Sequence, residues 1–361
     1  MPLAAEPDSQ TVLTEAKFPM LKLARFHRVV SVALAALSLT ALGAKARPKR
    51  PLVIAHRGAS HDAPENTLAA FHLAWQQGAD GAEGDFYLSA DGQIVCIHDR
   101  DTQRTAGENL RVAESTLAEL QQLDVGSWKS PEFAGERIPT LSDVLQTVPR
   151  GKLFYIEIKC GPEIMPALVD VLHTQRFVSF DQLRIISFNA DVIAAVKQQL
   201  PAIKAFWLTG YQEQRPEEVE NGESAPAFSP TAQSVLETLA ATRADGLGSS
   251  ANLNVVDAVY ADALRQAGHE LHVWTVDDPE IAQRMYAIGA LSITTNVPAT
   301  IRALWPADDV VAAVELSPAT ANACCQRVLV PCCCAQCQPC GYQPRGYSSR
   351  RRFLPRLFRR W

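Results

Sequence analysis

Two stretches of the sequence, GAEGDFYL at residues 81–88 and LFYIEIK at residues 153–159, decide the fold. Each has the length of one strand, and few polar residues interrupt its apolar pattern. Because side chains two apart in a strand point to the same face, Glu83 and Asp85 share a face, and so do Glu157 and Lys159. Acidic side chains inside apolar runs of this kind predict strands that direct a polar site inwards.

Short apolar runs recur on both sides of these two stretches and alternate with amphipathic helical periods. The strand candidates are residues 52–55, 81–88, 94–97, 153–159, 183–188, 203–208, 246–248, 271–276 and 291–294. Helical spacing is clear at Leu68, Phe71 and Trp75, which share one face. Alternation of strands and helices predicts a parallel sheet that helices cover.

The number of repeats favours a closed barrel over an open sheet. About eight strand and helix units over some 250 residues are typical of an α/β fold of the (β/α)8 TIM barrel type. The ninth strand is explained by the turn at residues 89–92, which makes residues 87–97 a hairpin on the second barrel strand. Residues 101–140 then form a small insertion over one barrel face, and residues 211–230 form a second irregular excursion. We expect this barrel domain to span residues 51–305.

The remaining polar candidates follow the ends of strands, where a barrel of this type builds its active site. His56 and Arg57 end the first run, and His98 ends the hairpin. A histidine with a pKa near neutrality exchanges protons with a nucleophile or a leaving group, and an arginine binds phosphate with a planar fork. A single histidine at a strand end is more often structural, so the interpretation depends on the joint pattern. Glu65 and Trp274 are weaker candidates for contact with a ligand.

Three carboxylates directed into one confined space repel each other unless a cation lies between them. Glu83, Asp85 and Glu157 offer oxygen ligands without a thiolate or a dense histidine set. Such a donor set favours Ca²⁺, Mg²⁺ or Mn²⁺ over zinc. The alternative is that these residues form a solvent-exposed strand face that alternates with a buried one.

Composition excludes several classes of protein. The chain has 361 residues, of which 47% are hydrophobic and 20% charged, with a net charge of −5. These values are typical of a globular chain and exclude collagen-like, coiled-coil and wholly disordered proteins. Eight arginines and no acidic residue follow position 323, so residues 1–323 carry a charge of −13. A body this acidic does not indicate a nucleic-acid partner.

Both ends of the chain differ from the body. Residues 1–46 form an N-terminal extension whose apolar stretch, 29–44, follows basic residues and precedes the small-residue site Ala44-Lys45-Ala46. This pattern indicates a signal peptide and export to the periplasm or outside the cell, with no membrane span after cleavage. A buried helix and an uncleaved membrane anchor are the alternatives, and Met20 is a second candidate for the start. Residues 306–361 form a tail rich in Cys and Arg that we expect to be disordered, although the spacing of Cys334, Cys337 and Cys340 also suits a metal cluster.

Taken in order, the motifs resemble those of the glycerophosphodiester phosphodiesterases over residues 52–301. The matching segments are His56-Arg57-Gly58, Pro64-Glu65-Asn66-Thr67, Gly81-x-Glu83-x-Asp85, Asp91-Gly92 leading to His98-Asp99, Ile156-Glu157-Ile158-Lys159, His272-Val273-Trp274-Thr275 and Thr295-Asn296-x-Pro298. The resemblance implies a (β/α)8 barrel that hydrolyses small glycerophosphodiesters to an alcohol and sn-glycerol 3-phosphate with a divalent cation. By position it implies that Glu83, Asp85 and Glu157 bind the metal, that His56 and His98 are the acid/base pair, and that Arg57 and Lys159 contact the phosphate.

Two positions depart from the family pattern. Asn296 stands where the family commonly has Asp, and Gly84 stands where it commonly has an apolar residue, which we expect to loosen the strand that holds two ligands. Two other functions stay open at this point. One is a phospholipase D-like enzyme acting on lysophospholipids or sphingolipids, which would need an apolar channel. The other is an envelope binding protein without catalysis. Head-group preference and oligomeric state do not follow from the sequence.

Overall fold

Parallel strands that pair edge to edge form the centre of the molecule. The structure, a computed structural model, describes residues 50–211 and 231–306. The strands in these residues are β1 (Leu52–His56), β2 (Gly81–Leu88), β3 (Ile94–Cys96), β4 (Leu153–Ile158), β5 (Leu183–Ser187), β6 (Lys204–Thr209), β7 (Gly246–Ser250), β8 (Glu270–Trp274) and β9 (Ser292–Thr295).

The sheet closes on itself. Its strand order is β1, β9, β8, β7, β6, β5, β4, β2 and β3, and β1 also pairs with β2. Every pairing is parallel except that of β2 with β3. The predicted (β/α)8 barrel is therefore confirmed, and β3 is the antiparallel arm of the predicted hairpin.

Helices follow the strands and cover the outside of the barrel. Within the described residues the α-helices are α1 (Leu68–Gln76), α2 (Gln103–Ala106), α3 (Leu117–Leu120), α4 (Leu141–Thr147), α5 (Met165–Thr174), α6 (Ala190–Gln199), α7 (Ala232–Thr242), α8 (Ala258–Gln266), α9 (Pro279–Ile288) and α10 (Pro298–Arg302). Side chains at their starts fix several of them. The Thr67 hydroxyl accepts from the amide of Ala70 at the start of α1, and Asp278 accepts from two amides at the start of α9.

Alternation along each strand separates two apolar regions. The odd residues of β1, Val53 and Ala55, belong to the large core that the helices share. The inward residue Ile54 instead belongs with Tyr155 and Phe206 to a smaller cluster inside the barrel. The inward face thus packs the barrel floor and leaves its carboxyl end for polar side chains.

The connection between β3 and α4 is the predicted small insertion. It contains α2, α3 and two 3₁₀ turns, at Val112–Glu114 and Pro131–Phe133. Its apolar side chains form a small core of their own with the hairpin, made of Val95, Ile97, Val112, Leu120, Val125 and Ile138. This separate core holds the insertion in place beside the mouth of the barrel.

Some predicted segments lie outside the described residues. These are the N-terminal extension and signal peptide at 1–46, most of the irregular excursion at 211–230, and the tail at 306–361 apart from its first residue. Among the residues that the structure describes, none belongs to a helix with the length and apolar character needed to cross a bilayer.

Candidate active site

Three buried carboxylates meet at the carboxyl end of β2 and β4. The parallel register pairs Asp85 with Glu157 and, on the other side of β2, pairs His56 with Glu83. One oxygen each from Glu83, Asp85 and Glu157 lies within 4.8 Å of the other two. The side chains that the sequence predicts to share a metal are therefore brought together, and the solvent-exposed alternative is wrong, because each residue is 7% exposed or less.

Burial and mutual repulsion change the acidity of this carboxylate cluster, which consists of Glu83, Asp85 and Glu157. Burial, followed by the charges of Asp85 and Glu157, raises the pKa of Glu83 well above its ordinary value. Burial and the charge of Asp85 raise the pKa of Glu157 to about 7. Burial also acts to raise the pKa of Asp85, but Lys159 and Arg57 outweigh it and bring that pKa below its ordinary value. Without a cation the cluster therefore retains protons that free carboxyl groups would lose.

Two basic side chains, Lys159 and Arg57, contact the cluster. The Lys159 ammonium lies 2.7 Å from Glu157 Oε1 and 3.4 Å from Asp85 Oδ1. The Arg57 guanidinium lies 3.2 Å from Asp85 Oδ2, and the Arg57 amide donates to Glu83 Oε2 at 2.9 Å. Both predicted phosphate contacts thus lie at the site, paired with the carboxylates that would bind the metal.

Arg57 reaches the cluster because the backbone turns sharply after β1. Its φ is 57°, in the left-handed region that non-glycine residues seldom adopt, and Gly58 follows with a φ of 80°. A Cβ atom on Gly58 would lie 2.6 Å from the backbone of Ala70 in α1. The turn therefore requires glycine, and it places one Arg57 donor on Glu83 and another beside Asp85.

The two histidines have different hydrogen-bond partners. His56 Nδ1 lies 2.7 Å from Asn296 Oδ1, whereas His98 Nδ1 lies 2.6 Å from Asp99 Oδ1. Burial and the neighbouring charge of Arg57 lower the pKa of His56 to about 4. A low pKa keeps this imidazole neutral at physiological pH, which is the state that accepts a proton.

Asn66 lies just before α1, but its side chain bonds to β2 rather than to the start of that helix. Thr67 alone is the N-cap of α1. Asn66 has a φ of 59°, donates from Nδ2 to Asp85 Oδ2 at 2.8 Å and accepts from the Asp85 amide at 3.1 Å. Asn66 thus orients a predicted metal ligand. Its signal in the sequence is weak, because only the tolerance of asparagine for left-handed backbone distinguishes it.

Glu65 contacts the carboxylate cluster through Arg57 and links the insertion to the barrel mouth through Arg104. It accepts from Arg57 at 3.0 Å and from both terminal nitrogens of Arg104 at 2.7 and 2.9 Å. Arg104 also donates to Asp99, the partner of His98, at 2.6 Å. Arg104 was not predicted, because 39 residues separate it from Glu65.

Comparison with known proteins agrees with this geometry. Residues 56–300 match the model of the glycerophosphoryl diester phosphodiesterase family. The chain belongs to the glycerophosphodiester phosphodiesterases.

Relatives and solved structures support the assignment over the same region. A glycerophosphodiester phosphodiesterase of Caldanaerobacter subterraneus subsp. tengcongensis is 33% identical over 255 residues, which cover 70% of this chain and 96% of the relative. A phosphodiesterase of Oleispira antarctica, solved in complex with the product sn-glycerol-3-phosphate, is 31% identical with a TM-score of 0.60 and covers 70% of this chain and 96% of its own. A glycerophosphodiester phosphodiesterase of Thermotoga maritima is 25% identical with a TM-score of 0.55, and the match covers 71% of this chain and 99% of the Thermotoga chain. The chain is therefore an enzyme of the glycerophosphodiester phosphodiesterase type.

The structure accounts for Gly84, one of the two departures from the family pattern. A Cβ atom there would lie 3.0 Å from Phe71 and 3.4 Å from Phe154. These two rings pack edge to face, with centroids 5.5 Å apart, over the glycine. The register of β2 with β4 continues through Gly84. The expectation of a loosened strand is therefore wrong, since aromatic rings fill the space that a side chain leaves.

A cavity of about 620 Å³ opens beside the phosphodiesterase site. The end of β4, including Glu157 and Lys159, forms one side of it, and the insertion forms another through Arg100 and Arg111. Phe188 lines the cavity and packs edge to face on Trp274, with ring centroids 5.3 Å apart. Trp274 is thus placed at the mouth of the barrel, behind the cavity wall.

Proposed function

We propose that the chain hydrolyses glycerophosphodiesters to an alcohol and sn-glycerol 3-phosphate in a reaction that depends on a divalent cation, with His56 and His98 as its acid/base pair. The observation that carries the proposal is the convergence of three carboxylate oxygens within 4.8 Å of one another, beside Arg57 and Lys159. The product seen with the Oleispira antarctica phosphodiesterase supports the choice of product.

The carboxylate cluster fits a hard cation. Glu83 Oε1 is buried and accepts no hydrogen bond from any residue that the structure describes, and buried Asp85 Oδ1 has only the Lys159 ammonium near it, at 3.4 Å. A buried oxygen without a donor is costly unless a ligand satisfies it. Glu83, Asp85 and Glu157 would hold the ion, and oxygen ligands favour Ca²⁺, Mg²⁺ or Mn²⁺. When bound, the ion would stabilise the negative charge of the phosphoryl oxygens.

The basic residues and histidines of the chain supply the other requirements of phosphodiester cleavage. Arg57 and Lys159 neutralise charge that develops on the phosphate oxygens. One histidine removes a proton from the nucleophile as its oxygen forms a bond to phosphorus. The other donates a proton to the alcohol oxygen as the second phosphorus–oxygen bond breaks. The nucleophile is either water or the neighbouring glycerol hydroxyl, and the second case gives a cyclic phosphate that water then opens.

The cavity beside the site accommodates the departing alcohol. Arg100, Arg111, Lys159 and Glu163 line its wall, interspersed with apolar residues that include Val112 and Phe188. A wall with this much charge suits the polar head group of a deacylated phospholipid better than an acyl chain. A water-soluble glycerophosphodiester is therefore the preferred substrate over a lysophospholipid.

A coupled assay tests the proposal. The purified chain is incubated with glycerophosphocholine, and sn-glycerol 3-phosphate is measured with its dehydrogenase after chelation and after adding Ca²⁺, Mg²⁺ or Mn²⁺. We expect release that chelation abolishes and one of the cations restores. A parallel reaction with lysophosphatidylcholine tests the phospholipase D-like alternative. Absence of sn-glycerol 3-phosphate with every cation and with several head groups would refute the proposal. Release of choline from lysophosphatidylcholine would then indicate the phospholipase D-like alternative, and release of neither product would indicate the binding protein.

Export is proposed on the basis of the N-terminal sequence. A basic start, the apolar stretch at 29–44 and the site Ala44-Lys45-Ala46 are the parts of a cleavable signal. Expression with a C-terminal tag, followed by fractionation and N-terminal sequencing, is expected to give a chain that begins at Arg47 outside the cytoplasm. A chain that begins at Met1 or Met20 would refute cleavage.

A further inference from the structure

A chain of hydrogen bonds runs from His56 to the loops that follow β8 and β9. His56 Nδ1 and Asn296 Oδ1 are 2.7 Å apart. Asn296 in turn donates from Nδ2 to Asp277 Oδ2 at 2.7 Å. Neither Asp277 nor its contact with Asn296 is used by the mechanism proposed above.

The direction of each hydrogen bond follows from the groups involved. The Asp277 carboxylate accepts from the side-chain NH₂ of Asn296, from the backbone N–H of Asn296 at 2.8 Å and from the Thr295 hydroxyl at 2.9 Å. Because an ionised carboxylate can only accept hydrogen bonds, the NH₂ end of the Asn296 side chain must face Asp277. The oxygen end must then face His56, and the Ser60 hydroxyl, which donates to the same Oδ1 at 2.9 Å, supports this orientation.

An amide oxygen accepts hydrogen bonds and never donates them, so the proton of a neutral His56 must lie on Nδ1. Nε2 then carries the lone pair, and no side chain in residues 50–211 or 231–306 is hydrogen-bonded to it. Accordingly, we propose that Asp277 and Asn296 are a positioning pair that fixes His56 in the tautomer with a free Nε2, and that His56 is the base which removes the proton from the nucleophile.

This inference rests on the proposed function, and it names residues that act through His56 rather than on the substrate. If Asp277 is replaced by Asn, the single side-chain oxygen of the new residue still accepts from the backbone amide of Asn296 and from the Thr295 hydroxyl. The new NH₂ group at position 277 faces the Asn296 side chain. The Asn296 amide therefore flips, so that its side-chain oxygen accepts from that NH₂ group. The NH₂ end of Asn296 then faces His56 and favours the tautomer with the proton on Nε2, which cannot act as a base.

The first test compares Asp277→Asn with Asp278→Asn. Both changes remove one negative charge from adjacent positions, but Asp278 caps α9, where asparagine is also a good N-cap. We expect Asp277→Asn to lower kcat by about 10- to 100-fold with little change in KM, as for other groups that orient a functional histidine. We expect Asp278→Asn to retain the wild-type kcat. An unchanged kcat in Asp277→Asn would overturn the inference.

The second test exchanges the two side chains. In the double variant Asp277→Asn with Asn296→Asp, the amide introduced at position 277 donates to the carboxylate introduced at position 296, and that carboxylate accepts from His56 Nδ1. The tautomer is retained, so we expect kcat to recover to within about threefold of wild type. A double variant no better than Asp277→Asn alone would contradict the pair. Thermal unfolding checks that the double variant folds. If it does not fold, the ¹⁵N-histidine measurement described next decides whether the inference holds.

The third test observes the tautomer directly. In metal-free protein labelled with ¹⁵N-histidine, the His56 signals are identified as those lost in His56→Gln. We expect a protonated Nδ1 and a bare Nε2 in wild type, and the reverse in Asp277→Asn. The same tautomer in both proteins would refute the inference. If His56→Gln retains full activity, it is the proposed acid/base function that fails instead, so the two failures are distinguishable.

Discussion

Residue roles at this site depend on a few side chains held by partners from other parts of the chain. The carboxylates, the histidines and the two basic residues were predictable, because each interrupts or ends an apolar run where polarity is otherwise unexplained. Asn66, Arg104 and Asp277 were not predictable from local pattern. Their partners lie on other elements, and a lone asparagine, arginine or aspartate in a loop is ordinary in any soluble protein.

At this scale the histidines provide the first prediction. Replacing His56 or His98 by Ala is expected to lower kcat by roughly 10²- to 10⁴-fold each, because we propose that each supplies one proton transfer. His61→Ala is the matched control, since that side chain is exposed and, among the described residues, hydrogen-bonded only to the adjacent Asp62. Turnover is measured with the coupled assay at saturating cation. Wild-type turnover in either site variant would remove that histidine from the mechanism.

Asn66 provides a second prediction about a single residue. Asn66→Gly preserves the left-handed backbone but removes both side-chain bonds to Asp85. We expect the affinity for the activating cation to fall roughly 10- to 100-fold, as when a partner of a metal ligand is lost. Calorimetric titration with the cation measures this, and Asn254→Gly, at an exposed position, is the control. Equal affinities in the two variants would show that Asn66 does not orient Asp85.

At the scale of elements, strand positions were predictable because apolar runs and helical periods alternate cleanly. The hairpin was predictable for the same reason, with its turn at residues 89–92 between two apolar arms. The distribution of side chains along one strand was harder to predict. His272 and Trp274 share the inward face of β8. His272 is 7% exposed and packs against Phe206 in the interior, with ring centroids 4.1 Å apart and the rings tilted by 41°, while Trp274 reaches Phe188 at the mouth. Only the first of these aromatic contacts belongs to the barrel interior.

The junction between β1 and α1 provides the element-scale prediction. Gly58 and Gly92 have similar backbone angles, with φ of 80° and 77°, but a Cβ on Gly58 meets Ala70 at 2.6 Å while one on Gly92 meets nothing within 4 Å. Gly92→Ala is therefore expected to cost only the strain of left-handed backbone, about 1 kcal/mol of unfolding free energy. Gly58→Ala adds a clash with helix backbone and is expected to cost roughly 2–4 kcal/mol. Urea unfolding of both variants measures the difference, and equal losses would exclude the clash.

At the scale of the whole molecule, closure of the barrel brings the ends of β1, β2, β4, β8 and β9 to one mouth. The sequence allowed this to be predicted only through the count of repeats, because no local signal shows that β1 pairs with both β2 and β9. The pairing of β2 with β4 brings the three acidic side chains together, and closure adds His56 and Arg57 from the end of β1. The repulsion among these carboxylates links the stability of the folded protein to pH and to the cation that we propose.

The sign of that linkage follows from the raised pKa values of Glu83 and Glu157. A group whose pKa is higher in the folded state contributes stability that is complete below its unfolded pKa, near 4.5, and is lost as the pH rises through its folded pKa. For Glu157 the folded pKa is about 7, so the loss falls between about pH 4.5 and 7. Since each pKa unit corresponds to 1.36 kcal/mol, the contribution of Glu157 alone is of the order of 3 kcal/mol.

Chelated protein is therefore expected to be less stable at pH 8 than at pH 5.5, and the cation is expected to raise the melting temperature more at pH 8. At pH 5.5 the ion must displace protons from the cluster, whereas at pH 8 it relieves repulsion between charges already present. Thermal unfolding at both pH values, with chelator and with saturating cation, measures the two shifts. The variant Glu157→Gln removes one titrating charge and is expected to reduce the difference between them, while Glu163→Gln, in the loop after β4, is expected to preserve it. If the cation raised the melting temperature of the wild-type protein equally at pH 5.5 and pH 8, cation binding would not be coupled to ionisation of the carboxylate cluster.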